Sequence, residues 1–352
     1  MVKTTHIPSG EDEILNALMR LWEDQFPARE NIRIQDLMRI SDGWENDVYA
    51  FTVEYEDAAG QTREDLILRI YPGDDARQKS AREFHTMKRL HGVGFPVPEV
   101  LLLACDNSPF GKPCIVMEKI QGRSMGEALG ESSDPEKHVL LERFCQLFVD
   151  LHALDWRPIA SDPLLPGEDS STLIKRQLSR WQDYAHALQE TAFDPVFAWL
   201  QEHIPDIRFN RLSVLHWDYH PGNILIREDG APFVIDWGGV LVSDFRLDLA
   251  WTLLLMSTYG HPEAREVVLT RYERAAGVRV EQIEYFEAAM CLRRLFDISV
   301  SLGAGAERLG MRPGAETMMR QNVDHIERVY MILCDRTGLT IPEIDRLLST
   351  LT

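Results

Sequence analysis

The stretch from Leu212 to Asp236 limits the possible folds of this chain more than any other part of it. It interrupts a mostly helical pattern with two short strand-like runs that bracket a turn. Its loop reads His-Trp-Asp-Tyr-His-Pro-Gly-Asn, so Asp218 and Asn223 lie five residues apart. The chain must therefore combine a helical body with a small β element that presents polar side chains.

A second carboxylate follows this loop. Asp236 ends the apolar run Phe-Val-Ile, thirteen residues after Asn223. The sequence Arg-Glu-Asp-Gly at 227–230 is typical of a hairpin turn, which would bring Asn223 and Asp236 together on one metal ion. An amide oxygen and a carboxylate, completed by oxygens from other sources, suit magnesium. We therefore predict that Asn223 and Asp236 bind Mg²⁺.

The spacing His-x-Asp-x-x-x-x-Asn is that of the catalytic loop in kinases. In such a loop the carboxylate meets the attacking hydroxyl group, and the amide oxygen meets the metal. Phosphoryl transfer needs little covalent chemistry from the protein, so the placement of these groups supplies most of the catalysis. Asp218 is the predicted catalytic residue. An aspartate has an ordinary pKa of about 3.9, so we expect it to orient the hydroxyl and capture the proton late.

The remaining pattern predicts an α+β fold with a boundary between residues 119 and 120. Before that boundary, helix, three strands, helix and two strands follow one another, which is the layout of a kinase small lobe. These elements are predicted over 11–25, 32–40, 47–55, 65–70, 75–91, 99–104 and 113–118. After it the pattern is mainly helical, with helices predicted over 135–154, 171–189 and 192–203 and again from residue 247 on.

The block from Val214 to Trp251 resembles the catalytic core of the aminoglycoside phosphotransferase family. This broad family also includes choline, homoserine, fructosamine and macrolide kinases. The resemblance implies a protein-kinase-like fold of two lobes: a nucleotide-binding lobe over 1–119 with an antiparallel sheet and a helix, and a mainly helical catalytic and substrate-binding lobe over 120–352. Trp217 departs from the family's usual His-Gly-Asp. Because this position flanks the catalytic residue, the change is expected to alter the shape of the site.

The resemblance also implies roles for residues around the predicted site. Asp248 would brace the catalytic loop through hydrogen bonds, and His216 would support the same loop; an ordinary acid at a helix start is the alternative for Asp248. The segment 41–49, which contains Gly43, looks like the loop that covers the nucleotide phosphates, and a plain polar turn is its alternative. The backbone of Glu118 and Ile120 would meet the adenine edge, with Met117 behind it.

Arg69 matches the strand position that carries the phosphate-binding lysine in protein kinases. An arginine is always charged and can bind two phosphate oxygens at once, but it requires a carboxylate to hold it. The predicted helix over 75–91 contains one acid after its first turn, Glu83. We therefore pair Glu83 with Arg69, with a solvated helix face as the alternative for Glu83.

These features predict an ATP- and Mg²⁺-dependent phosphotransferase that moves the γ-phosphate to a hydroxyl of a small molecule. GTP is an alternative donor, because the expected adenine contacts are made by the backbone. Two other functions stay open. One is a choline-, homoserine- or macrolide-type small-molecule kinase, and the other is a nucleotide-binding pseudokinase that acts as a regulator.

Composition narrows the possible partners and the compartment. The net charge is −19, from 37 basic and 56 acidic residues, which argues against binding to nucleic acid or to anionic membranes. A cationic substrate is one interpretation of this charge, and solubility is the other. The five cysteines have no Cys-x-x-Cys spacing, and the run 247–256 covers only half a membrane span. Residues 1–13 lack the apolar segment of a secretory signal, so a cytoplasmic location is expected.

Overall fold

The computed structural model describes residues 10–40, 46–106, 108–160, 169–209, 211–305 and 315–351. The chain folds into two compact units. The first contains Met1–Arg123 and Leu225–Gly238, and the second contains Ser124–Ile224 and Gly239–Thr352. A segment that lies well beyond the predicted boundary at residue 119 thus groups with the N-terminal residues.

The order of the elements alternates strands and helices in the first third of the chain and is mainly helical afterwards. In chain order the elements are α1 Glu11–Gln25, β1 Glu30–Arg39, β2 Asp47–Asp57, β3 Gly60–Ile70, α2 Ala76–Gly92, β4 Val100–Ala104, β5 Cys114–Glu118, β6 Gly122–Ser124, α3 Met125–Glu131, α4 Asp134–Ala153, α5 Ser170–Ala187, α6 Asp194–His203, β7 Leu212–Leu215, β8 Ile224–Arg227, β9 Pro232–Val234, β10 Leu241–Asp244, α7 Phe245–Thr258, α8 Ala264–Ala276, α9 Ile283–Val300, α10 Ala315–Gln321, α11 Val323–Thr337 and α12 Pro342–Leu351.

The first unit is built on a five-stranded sheet in the order β1-β2-β3-β5-β4, in which all neighbours are antiparallel. Helix α1 packs its apolar side against this sheet, and the ring of Trp22 meets that of Phe51 edge-on at 5.9 Å. The predicted strands and helices of this region are confirmed. Strand β3 begins at Gly60 rather than at residue 65, because its polar first half, which alternates exposed and partly buried residues, still pairs with β2.

A hairpin delivers the last acidic residue of the predicted site. Strands β8 and β9 belong to a three-stranded sheet in the order β6-β8-β9. The predicted turn is present: the amide of Gly230 donates to the carbonyl of Arg227 at 2.8 Å, and the Arg227 side chain pairs with Asp229. The structure has three short strands between residues 212 and 236, where the sequence indicated two, because β7 pairs separately with β10.

The second unit is mainly helical, as predicted. Its helices pack around the loop that follows β7, and Tyr219 anchors that loop in the core. The Tyr219 ring stacks on Phe148 at 3.9 Å, and its hydroxyl donates to the carbonyl of Phe144 at 2.8 Å. The Thr252 hydroxyl on α7 donates to the carbonyl of Tyr219 at 2.6 Å. Two helices thus fix the backbone next to Asp218.

These observations confirm the α+β class with an antiparallel sheet and a mainly helical remainder. All five cysteines carry free thiols. In the part of the chain that the structure describes, none of the helices combines the length and the apolar character that crossing a bilayer requires.

Candidate active site

In the first unit, Arg69 and Glu83 form the predicted ion pair. Arg69 lies on β3, where it is opposite Val48 on one side and Ile115 on the other. Its Nη1 donates to Oε1 of Glu83 at 2.7 Å, and the other Glu83 oxygen accepts from the Tyr71 hydroxyl at 2.7 Å. The Glu83 side chain is only 1% exposed, so it is an internal anchor rather than a solvated residue of a helix face.

Arg69 also binds a second carboxylate. Its Nη2 donates to Oδ1 of Asp236 at 2.6 Å. With the amide oxygen of Asn46 turned toward the guanidinium, Asn46 accepts from Nε at 3.0 Å and from Nη2 at 2.8 Å. Burial alone would lower the pKa of Arg69, but Glu83 and Asp236 raise it well above its ordinary value. The guanidinium therefore stays charged inside a cluster of carboxylate and amide oxygens.

Asp236 follows β9 in a left-handed backbone conformation, with φ of 68°. Aspartate tolerates this region better than most residues, and such conformations concentrate at functional sites. The next residue is fixed, since the Trp237 indole nitrogen donates to the carbonyl of Val234 at 3.0 Å and its ring packs edge-on against Phe95. The Asp236 side chain remains 42% exposed, so a ligand can reach it.

In the second unit, Asp248 holds the backbone of the loop that carries Asp218. Its two carboxylate oxygens accept from the amides of His216 and Trp217, at 2.7 and 2.8 Å. His216 in turn accepts from the amide of Asp218 through Nδ1 at 3.2 Å. Asp248 and His216 are both fully buried. The hydrogen bonds expected from the family resemblance are therefore present.

The Asp218 carboxylate is held by three side chains of the same unit. The Trp251 indole nitrogen donates to Oδ1 at 2.8 Å, Asn223 Nδ2 lies 3.4 Å from Oδ2 and 2.9 Å from the main-chain oxygen, and His220 Nε2 lies 3.6 Å from Oδ2. Burial alone would raise the pKa of Asp218, but His220, Trp251 and Arg293 together lower it below its ordinary value. With 43% of its side chain exposed, Asp218 is an accessible, ionised hydrogen-bond acceptor.

The sequence did not reveal the roles of Trp251 and Arg293 in this site, and for Trp217 it indicated only a change in the shape of the site. Trp217 has φ of 75°, a left-handed conformation that an L-residue with a large side chain rarely adopts. Arg293 Nη1 donates to the carbonyl of Trp217 at 3.0 Å. The departure from the family's glycine was the available signal, because glycine at that position indicates a backbone conformation with positive φ.

The chemistry of Asn223 and Asp236 fits a magnesium ion. Because Asn223 donates through its amide nitrogen to Asp218, its amide oxygen is the atom that can face a cation. Asp236 offers the carboxylate oxygen that Arg69 does not bind. Both are hard oxygen ligands of the kind that magnesium prefers. Asn223 belongs to the second unit and Asp236 to the first, and their joint binding of one ion stays a prediction.

The residues predicted to meet the adenine lie at the end of β5. Met117 and Ile120 are buried, and the amide of Glu118 donates to the carbonyl of Glu99 at 2.8 Å. The amide of Glu118 is thus used within the sheet, and its carbonyl is the group that can meet a nucleotide base. Gly43 lies outside the described residues.

Comparison with protein families identifies the chain's relatives. A sequence model of the phosphotransferase enzyme family matches residues 36–288. This range includes all the residues described above around Arg69 and around Asp218, except Arg293. The chain belongs to the phosphotransferase enzyme family. This confirms the resemblance to aminoglycoside phosphotransferases that the catalytic loop indicated.

Curated relatives of this family member match part of its length. Acyl-CoA dehydrogenase family member 11 of Rattus norvegicus is 31% identical over 190 residues, which is 52% of this chain and 22% of that protein. The protein of the same name from Gallus gallus is 28% identical over 199 residues, 55% of this chain and 23% of that protein. The chain therefore spans about a fifth of the length of the curated relatives it matches.

Solved structures of phosphotransferases share the fold along nearly the whole chain. A protein from Ralstonia eutropha, described as a putative aminoglycoside phosphotransferase, has a TM-score of 0.64 at 19% identity and covers 94% of this chain and 98% of its own. Aminoglycoside phosphotransferase APH(4)-Ia has a TM-score of 0.59 at 16% identity, with 92% and 99% covered. At these identities the likeness establishes the fold: a protein-kinase-like architecture.

Proposed function

We propose that this member of the phosphotransferase enzyme family transfers the γ-phosphate of ATP to a hydroxyl group of a small molecule. The observation that carries the proposal is the setting of Asp218. Its carboxylate is ionised, accessible and fixed by Trp251 and Asn223, on a loop that Asp248 braces. A group held in this way can accept a hydrogen bond from an acceptor hydroxyl in a single orientation.

Asp218 orients the hydroxyl and takes its proton late. Its lowered pKa makes it a weak base at neutral pH, so it cannot deprotonate an alcohol in advance. In a loose transition state the oxygen becomes acidic only as its bond to phosphorus forms, and a weak base then suffices. Removal of the carboxylate charge would remove both functions.

Arg69 is the proposed ligand of the nucleotide phosphates. Its charge is secured by Glu83, and its position by a strand in the centre of the sheet. Asn223 and Asp236 are the proposed ligands of Mg²⁺, which when bound neutralises charge on the phosphates. The carbonyl of Glu118 and the backbone of Ile120 would bind the base, with the buried Met117 behind them.

Complexes of related structures support nucleotide binding and guide the choice of acceptor. One structure of APH(4)-Ia is a ternary complex with ADP and hygromycin B, and one of another aminoglycoside phosphotransferase is a complex with GDP and kanamycin. We propose ATP as the donor with GTP as its alternative. An aminoglycoside-like polyhydroxy compound is the first acceptor to test, and choline, homoserine and macrolides are its alternatives.

The experiment is a measurement of ADP release from MgATP with a panel of acceptors. The panel contains kanamycin, hygromycin B, a macrolide, choline and homoserine, together with a hydroxylated acyl-CoA because the curated relatives are named acyl-CoA dehydrogenase family members. The proposal predicts that at least one acceptor stimulates ADP release and gains phosphate, as detected by mass spectrometry.

A nucleotide-binding regulator is the second candidate. It is disfavoured because Asp218, Asn223 and Asp236 are all present in this chain. Nucleotide binding with no phosphorylated product from any member of the panel would favour that candidate. Absence of any nucleotide binding would contradict both.

A further inference from the structure

Trp217 occupies a conformation that its own side chain disfavours. Its φ of 75° places it in the left-handed region, which is sterically unfavourable for an L-residue with a side chain. In the family pattern a glycine avoids this cost. Such strain persists only where the surroundings over-determine the backbone, so neighbouring groups must hold this residue in place.

Two side chains hold the backbone of Trp217 from opposite sides. Asp248 Oδ1 accepts from its amide at 2.8 Å, and Arg293 Nη1 donates to its carbonyl at 3.0 Å. These two bonds lie on either side of the α-carbon, so they fix both backbone dihedral angles. Asp248 was expected from the family resemblance, whereas Arg293 on α9 was not.

Arg293 also contacts the aromatic groups next to Asp218. Its guanidinium carbon lies 4.5 Å from the ring centroid of Trp217 and 3.9 Å from that of Trp251. The Trp251 indole donates to Oδ1 of Asp218. Cation–π contacts of this kind are worth more when they are shielded from water, and Arg293 is mostly buried. Arg293 thus touches Trp217, which directly precedes Asp218, and Trp251, which binds its carboxylate.

We infer that Arg293 is a positioning residue, which compensates the replacement of the family's glycine by Trp217 and so keeps Asp218 in place. Arg293 holds the left-handed backbone through the carbonyl of Trp217 and fixes the Trp251 indole that binds Asp218. Only the catalytic consequence rests on the proposed phosphotransferase function. The structural consequence does not.

A double-mutant cycle with crystal structures tests this role. In Arg293→Met we expect residue 217 to leave the left-handed region and the Trp251–Asp218 hydrogen bond to be lost. In Arg293→Met combined with Trp217→Gly we expect φ of residue 217 to stay positive and Asp218 to lie closer to its original position than in the single variant, because glycine adopts this conformation without support. Arg294→Met is the matched control, since Arg294 contacts Tyr259 and His325 instead.

The inference is overturned if Arg293→Met keeps both the positive φ of residue 217 and the Trp251–Asp218 hydrogen bond. It is also overturned if Asp218 is displaced as far in the double variant as in Arg293→Met. Should Arg293→Met fail to fold, Arg293→Gln and its Trp217→Gly partner replace it, because glutamine stays polar but is uncharged and too short to keep both the bond to the Trp217 carbonyl and the contacts with the two rings. Where turnover is measurable, we expect kcat to fall about tenfold in the Trp217 background and about threefold or less in the Gly background, with KM for ATP unchanged. Equal losses of kcat in both backgrounds would show that Arg293 and Trp217 are not coupled and would overturn the inference. If the unmodified protein itself shows no turnover, the proposed function fails while the crystal structures still decide this inference.

Discussion

Arg69 Nη2 lies 2.6 Å from Oδ1 of Asp236, a contact between a residue proposed to bind phosphate and one proposed to bind magnesium. The same guanidinium also binds Glu83. Arg69 therefore links the fixed interior of the first unit to an acid that remains accessible. In the proposed function, MgATP would compete with this pair, since Arg69 would bind a phosphate and Asp236 the metal ion.

Replacement of Arg69 by lysine tests this double contact. An ammonium group cannot span both carboxylates in the way that a planar guanidinium does, so one of them loses its partner. We expect Arg69→Lys to raise KM for ATP about tenfold and to lower the free energy of unfolding by about 2 kcal/mol. Steady-state kinetics and urea unfolding measure the two effects.

Arg63→Lys is the control for that substitution. Arg63 lies on the same strand as Arg69 and pairs with Glu54 of β2 at 2.9 Å, but its side chain is 57% exposed. An exposed pair contributes little, so we expect a change below about 1 kcal/mol and no change in KM. Equal effects of the two substitutions would contradict a special role of Arg69.

The metal prediction concerns Asn223. Asn223→Ala removes a proposed oxygen ligand, so we expect the Mg²⁺ concentration for half-maximal ADP release to rise about tenfold. Calorimetric titration of each protein with ATP, with and without Mg²⁺, needs no turnover. It should show that Mg²⁺ strengthens ATP binding less in Asn223→Ala than in the unmodified protein. Gln201→Ala removes an amide from the exposed face of α6 and is the control. An unchanged Mg²⁺ requirement in Asn223→Ala would exclude Asn223 as a ligand.

The buried His325 makes the free energy of unfolding depend on pH. It is buried in the second unit, and Arg294 Nε donates to its Nε2 at 2.9 Å, which requires that nitrogen to be unprotonated. Burial, together with Arg294 and Arg328, lowers the pKa of His325 from 6.5 to about 3. The folded state therefore excludes a proton that the unfolded chain binds below pH 6.5. The stabilisation is complete above that pH and is lost as the pH falls toward 3.

We expect His325 to lower the free energy of unfolding by about 2 kcal/mol as the pH falls from 7 to 5. His325→Phe keeps a ring against Tyr259, so its stability should decline less over this range than that of the unmodified protein. His261→Gln, at an exposed position, is the control. Parallel pH profiles for the unmodified protein and His325→Phe, measured by urea unfolding, would contradict the assignment.

The sequence predicted features that depend on local pattern or on pairing between near elements. The strands and helices of the first unit follow from alternation and periodicity. The Arg69–Glu83 pair could be predicted because Arg69 requires a carboxylate to hold it. Glu83 is the acid that the next helix offers, only 14 positions away. The hairpin at 227–230 followed from its turn residues.

The features that the sequence did not predict join distant positions. Arg69 and Asp236 are 167 positions apart, and Trp251 and Asp218 are 33 apart. No periodicity connects such pairs, because tertiary packing decides which side chains meet. Arg293 is a further example, since its position on an amphipathic helix is equally compatible with a surface cation.

The central claim is that Asp218 orients the acceptor hydroxyl, and single-turnover transfer from radiolabelled ATP tests it most directly. Asp218→Asn keeps the size and the hydrogen bond to Trp251 but removes the charge. The account predicts that this variant binds MgATP with an unchanged Kd and transfers phosphate at least about a thousandfold more slowly. Transfer at the rate of the unmodified protein would contradict it.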